Sequence, residues 1–201
     1  MNSNEQTLSV YQDHFQNYID GTVQVTAEDS FQGVWIKSVL DRIPKKANKL
    51  EIGSAFGRDA SFIQQNGYEN IDLTDAFQAS VDYLQTQGFD ARLLNVLTDE
   101  LSGEYDLIFA SAVFLHFNDE ELKHVVSKLK HHVSATGYLA FSVKQGEGEE
   151  WTDKKMGAPR YFYYWTANRI LSLLHAAGYD VVDVRETDDK KWLHITVRLT
   201  S

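Results

Sequence analysis

The sequence predicts an α/β fold, a three-layer sandwich built on a mainly parallel seven-stranded sheet with one antiparallel strand near the C-terminus. Three observations predict it. From Lys49 onward, short apolar runs bounded by Gly, Asp or Asn alternate with stretches of helical periodicity. The last two runs, 179–185 and 192–199, are separated only by the polar residues 186–191, too few for a parallel crossover, so they form a hairpin. At 201 residues and 43% apolar content, the chain suits one substantial core better than two. No repeat, low-complexity tract or Pro-rich linker divides it, so a single domain is expected over 1–201, with a helical cap at 1–46 and the α/β core at 47–201.

The elements follow in order. Tyr11, Phe15 and Tyr18 stand at i, i+4 and i+7, a helical stripe that either closes over a ligand or packs as an ordinary N-terminal helix. Residues 50–52 form the first strand and 53–57 a glycine turn into a helix. The second strand is 70–74; Phe77, Val81 and Leu84 mark the helix after it; the third and fourth strands are 91–94 and 105–110. Asn118 with Glu121 reads as a capping box for a helix whose stripe is Leu122, Val125, Val126, Leu129 and Val133. The fifth strand is 138–143. Thr166 caps a late helix marked by Ile170, Leu173, Leu174 and Ala177, and Gly178 stops it.

Composition narrows the function. With no cysteine, disulfides, thiolate chemistry and cysteine-ligated metals are excluded. No histidine pair has a carboxylate motif nearby, so no metal site is expected. A net charge of -10 opposes a nucleic-acid partner. No apolar run approaches the ~20 residues a bilayer requires, and the start MNSNEQTLSV has no basic-then-apolar leader, so a soluble, cytoplasmic protein with a small-molecule partner is expected.

The stretch Glu51-Ile52-Gly53-Ser54-Ala55-Phe56-Gly57 lies where the first strand turns into a helix, so glycines admit close backbone approach and the helix start offers unpaired N–H groups. Any tight strand-to-helix turn can use such glycines. Eighteen residues after Gly57, however, the second strand ends in Asp75, a carboxylate on the same sheet edge, suited to two ribose hydroxyls. A nicotinamide dinucleotide and S-adenosylmethionine share this geometry. The dinucleotide site wants Gly-x-Gly-x-x-Gly and room for a pyrophosphate, whereas Ala55 and Phe56 fill the middle here and Glu51 favours a cation.

Together, 51–57, the Gly57-Arg58-Asp59 step, Asp75, "YDLIFASAVFLHF" and the closing hairpin resemble class I S-adenosylmethionine-dependent methyltransferases over nearly the whole chain. More narrowly, "GRDASFIQQNGY", His116 and "SVKQGEGEE" resemble small bacterial methyltransferase-domain proteins. The resemblance implies a Rossmann-like core and S-adenosylmethionine as cofactor. It assigns cofactor contacts to Glu51, Gly53, Ser54, Ala55, Gly57, Arg58, Asp59, Asp75, Ala76, Asn95, Val96, Ala110 and Ser111. Two positions depart from the family pattern: Ala55 replaces a glycine, and Asn95 replaces an aspartate that receives the adenine amino group, a role an amide oxygen can also fill. The implied function is methyl transfer to a small-molecule acceptor. A non-catalytic binder of S-adenosylmethionine or S-adenosylhomocysteine, acting as sensor or partner subunit, is the second reading, and a nicotinamide-dependent oxidoreductase the third.

Methyl transfer needs alignment of nucleophile and methyl, and a base only when the nucleophile carries a proton. His116, just past the fourth strand on the ligand edge, is the candidate base; a structural histidine at a helix entry is its plain alternative. Acceptor contacts are expected from segments that interrupt the alternation: Lys144 and Glu147 in a glycine-rich loop, Arg160 and Tyr163 in "RYFYYW", and Tyr11 and Tyr18 from the N-terminal stripe. Arg160 suits a carboxylate or phosphate, unless it pairs with Glu147, Glu149 or Glu150 and the acceptor is a cationic amine.

Overall fold

The computed structural model describes residues 2–200. Its centre is a seven-stranded sheet built from β1 (Lys49–Ile52), β2 (Ile71–Asp75), β3 (Ala91–Leu93), β4 (Tyr105–Ala110), β5 (Val133–Lys144), β8 (Tyr179–Glu186) and β9 (Trp192–Leu199), in the order β3-β2-β1-β4-β5-β9-β8. β9 alone runs antiparallel, against both β5 and β8, and the β8–β9 pair is the hairpin that the short polar connection demands. Strand order reverses direction between β1 and β4, so the crevice beyond their carboxyl ends is where such a sheet binds a ligand.

Alternation along the central strands divides the core. Leu107, Phe109 and Ala140 face α3 (Phe31–Leu40) and α4 (Arg58–Gln65), where Trp35, Ile36, Phe62 and Ile63 cover them. Ile108, Leu139, Phe141 and Ile195 face α6 (Asp119–Leu129) and α7 (Ala167–Ala176), which bury Leu122, Val125, Val126, Ile170 and Leu174. The third helix of the alternation, α5 (Gln78–Thr86), packs Val81 and Leu84 on Leu73 and Ala91. Asn118 and Glu121 form the reciprocal capping box of α6, and Thr166 caps α7.

Three expectations are corrected. The periodic stripe 122–133 ends at Leu129; Val133 belongs to β5, where it pairs with Tyr105, so β5 begins five residues before the sequence pattern suggests. The N-terminal stripe is two helices, α1 (Ser3–Asp13) and α2 (Phe15–Asp20), broken at His14, whose φ of -119° leaves the helical region. The segment expected to be loop after Lys144 forms a separate antiparallel pair, β6 (Glu149–Thr152) with β7 (Arg160–Tyr163). Among the described residues, no helix is long and apolar enough to cross a membrane, and no group of three or more acidic or histidine side chains could hold a metal ion.

Candidate functional site

The turn after β1 is held in left-handed backbone at three positions: Gly53 at φ +74°, Ala55 at +50° and Gly57 at +83°, the last serving as N-cap of α4. Glycine is required at Gly53 for space as well, since an added Cβ would meet Val113 Cγ2 at 2.3 Å. Ala55, the departure from a glycine pattern, accepts a strained conformation that points its N–H at Asp75 Oδ2, 2.7 Å away. Behind the turn, Glu51 is 2% exposed and its Oε2 has no hydrogen-bond partner; burial, and then the Asp59 charge, push its carboxyl up to about 8. Glu51 shares a small recess with Ser54, Arg58, Asp59 and Ser111. Arg58 is held in a two-pronged pair with Asp59, whose carboxylate also accepts from Thr26 and Gln32.

A cavity opens beside the recess, at the carboxyl ends of β1 to β4, and Gly53, Ala55, Asp75, Ala76, Asn95 and Val96 line it. Asp75 ends β2 with both oxygens turned to backbone donors, Ala55 N at 2.7 Å and Ala76 N at 2.7 Å, and burial pushes its carboxyl up to about 6. Asn95 donates from Nδ2 to Asn4 Oδ1 (2.9 Å) and accepts the Leu97 N–H at Oδ1 (3.0 Å), which leaves its amide oxygen one lone pair to offer. The roof comes from the N-terminal helices. Tyr11 stacks on Phe77 at 5.6 Å between centroids, and Tyr18 leans on Phe56 at 6.0 Å.

A second, open cleft adjoins the first, sharing Tyr11, Tyr18, Ala112 and His116 with it. His116 ends a single turn of 3-10 helix (Phe114–His116) at that junction. Its Nδ1 lies 2.6 Å from the Tyr161 carbonyl, which can only accept, so Nδ1 carries the proton and Nε2 is the lone-pair nitrogen. Nε2 accepts from the Tyr11 hydroxyl at 3.1 Å, and Arg160 Nη1 donates to that hydroxyl at 2.9 Å. Burial, and then the Arg160 charge, push His116 down to about 4, so the ring is neutral at physiological pH.

Most of the expected residues converge on these cavities and the recess beside them, and four do not. Gly57 lines none of them; it caps α4, and an added Cβ there would meet Phe89 and Leu84. Ala110 is wholly buried in the core beneath the site. Tyr163 faces the same core, because β7 alternates: Arg160 and Phe162 point to the open cleft while Tyr161 and Tyr163 point inward. Glu147 is exposed and lines neither cavity. Sequence reasoning missed Asn4, Thr7 and Leu8, which line the first cavity from α1. They share one helical face with Tyr11, spaced i, i+3, i+4 and i+7, and two polar residues on an otherwise apolar face were the available signal. It also missed Lys154, Lys155, Lys191 and Trp192 of the second cleft, which come from the segment before β7 and from the start of β9, far apart in the chain.

A family model described as a methyltransferase domain matches residues 32–184. No curated protein matches the sequence. Among solved structures the chain is similar to DhpI in complex with SAM and HEP, with a TM-score of 0.78 at 15% identity over 98% of this chain and 97% of that one. It is similar to the 1,6-didemethyltoxoflavin-N1-methyltransferase of Burkholderia thailandensis, solved with 1,6-didemethyltoxoflavin and S-adenosylhomocysteine bound (TM-score 0.72, 17% identity, 100% and 92% covered). It is also similar to the CcbJ methyltransferase of Streptomyces caelestis (TM-score 0.74, 12% identity, 96% and 98% covered). At these identities the structural likeness is one of fold.

Proposed function

The chain belongs to the methyltransferase domain family, and we propose that it works as a single domain that moves the methyl group of S-adenosylmethionine to a small-molecule acceptor. The observation that carries the cofactor reading is the buried carboxyl of Glu51 behind the glycine turn, whose Oε2 has no hydrogen-bond partner. A buried acid with no ion pair of its own, the neighbouring Arg58 being held by Asp59, suits a ligand that brings an ammonium and a sulfonium and offers a pyrophosphate no counter-charge. The solved complexes of DhpI and the toxoflavin enzyme, which carry SAM or S-adenosylhomocysteine, support the same reading.

The residues fit the group. Glu51, with Gly53 and Ala55, would hold the methionine end, Asp75 the ribose, and Asn95 and Val96 the adenine, within the cavity that Asn4, Thr7 and Tyr11 roof. When bound, S-adenosylmethionine supplies a methyl group already activated by its sulfonium. What the chain supplies is placement: Tyr11, Tyr18, Ala112 and His116 form the boundary between the cavities, so an acceptor in the open cleft reaches the first cavity only past them. His116 Nε2 is a neutral lone pair behind the Tyr11 hydroxyl, so a proton leaving the acceptor can be taken through Tyr11.

Calorimetry tests the reading. S-adenosylmethionine and S-adenosylhomocysteine should bind in the micromolar range and NAD should not. Asp75→Ala should weaken S-adenosylhomocysteine by about 2 to 3 kcal/mol, the scale of charge-assisted hydrogen bonds. Binding of NAD alone would replace the methyltransferase reading with the oxidoreductase one, and binding without turnover on any acceptor would favour a sensor.

A further inference from the structure

The open cleft carries a charge opposite to that of the chain. Acidic residues outnumber basic ones by 29 to 19 overall, yet Lys144, Lys154, Lys155, Arg160 and Lys191 line the cleft against one carboxylate, Glu150. Among the described residues only Lys191 of these five has an ion-pair partner, the exposed Asp189 at 3.0 Å. Glu150 accepts from the Tyr164 hydroxyl and Glu149 from the Tyr161 hydroxyl, each at 2.5 Å, so neither neutralises Arg160. Arg160 is 5% exposed; its bonds go to two neutral oxygens, Tyr11 Oη at 2.9 Å and the Lys154 carbonyl at 2.6 Å, and its Nε has no partner. A buried guanidinium without a counter-charge is costly to the fold. Lys144 and Lys155 are likewise held by rings rather than by acids, with Nζ 4.3 Å from the Trp192 centroid and 4.4 Å from that of Tyr18.

Resting on the methyltransferase reading above, we propose that the methyl acceptor is an anion, a flat small molecule whose carboxylate, phosphate or phosphonate supplies the charge that Arg160 and the lysines lack. Its anionic group sits at the cationic wall, Phe162, Tyr164 and Trp192 cover its apolar body, and its nucleophile lies toward the Tyr11–His116 junction. The crowding of like charge supports this: burial, and then Arg160, push Lys155 down to about 8, and burial, and then Lys191, lower Lys144. A cationic acceptor would need Arg160 paired with a neighbouring glutamate, and it is paired with none.

The test is calorimetry on protein saturated with S-adenosylhomocysteine, using 1-naphthyl phosphate, 1-naphthoate and 1-naphthylmethylammonium as probes. At least one anion should bind tenfold or more tightly than the ammonium, about the value of one added charge-assisted contact, and the better anion separates a phosphoryl-type acceptor from a carboxylate. Lys154→Gln, an exposed change that should fold, and Lys144→Gln should each weaken the anion by about threefold or more without altering S-adenosylhomocysteine affinity. Equal or tighter binding of the ammonium, or no anion binding by protein that does bind S-adenosylhomocysteine, overturns the proposal. Failure to bind S-adenosylhomocysteine would count against the methyltransferase reading instead, and the same three probes on the free protein would still decide the charge preference.

Discussion

Tyr11 joins the two halves of the site through one oxygen, accepting from Arg160 and donating to His116. His116 cannot swap its nitrogens while Nδ1 is tied to the Tyr161 carbonyl, so a proton bound for Nε2 passes through the Tyr11 hydroxyl. If the acceptor loses a proton during transfer, Tyr11→Phe and His116→Ala should each lower kcat by about 100-fold, the lower end for a positioned base. Their double variant should fall no further, because both remove the same relay. Losses that multiply would show two independent roles. Because His116 is pushed down to about 4, kcat of the wild type should hold level down to about pH 5; a limb at the ordinary 6.5 would mean the ring titrates freely and the relay is open to solvent.

The regular elements were legible because their signals are local. Periodicity marked α5, α6 and α7, and the alternation of apolar runs marked all seven strands of the main sheet. Gly53, Asp75 and Asn95, which line the first cavity, were legible for the same reason, since each follows or ends a strand that the pattern identifies. The small β6–β7 pair escaped notice because "GEGEE" reads as solvated loop, and its strand character comes only from pairing Glu149 with Tyr163 and Thr152 with Arg160. Of the open cleft, Tyr11, Tyr18, His116, Lys144 and Arg160 were legible as candidates, whereas Lys154, Lys155, Lys191 and Trp192 escaped, because only the tertiary fold brings α1, β7 and the turn before β9 together. The glycine turn permits a test at this scale. Gly53→Ala forces both a left-handed alanine and a 2.3 Å contact with Val113, so it should cost about 1 to 3 kcal/mol in urea denaturation and weaken S-adenosylhomocysteine. Gly67→Ala, also at positive φ but with open space around it, should cost about 1 kcal/mol and leave ligand affinity alone. Equal costs would mean that the site turn has no special packing.

Among the described residues, four buried groups are pushed to values between about 4 and about 8, and their signs fix how stability depends on pH in that range. His116 and His194 are each pushed by burial from 6.5 down to about 4, so the unfolded chain binds more protons between those values and stability is lost as pH falls from 6.5 toward 4. Asp75, pushed from 3.8 up to about 6, and Glu51, pushed from 4.5 up to about 8, act the other way: the folded state keeps protons that the unfolded chain has released, so stability is lost as pH rises through each window. Below pH 6.5 the two pairs oppose each other. Lys155, pushed from 10.5 down to about 8, acts mainly above that value, so the interval from 6.5 to 8 belongs to Glu51. The ligand-free protein should therefore lose stability across that interval with a slope of at most about 1.4 kcal/mol per pH unit, one proton's worth. Glu51→Gln, which cannot ionise, should flatten the slope in urea denaturation at pH 6.5, 7.2 and 8. Saturating S-adenosylmethionine should flatten it in the wild type as well, because an ammonium beside Glu51 favours the ionised carboxylate, and calorimetry in buffers of differing ionisation enthalpy should register a proton released on binding at pH 7. A slope that survives Glu51→Gln would place the titrating group elsewhere. Binding with no proton released would place the ligand's cation away from the acid behind the glycine turn.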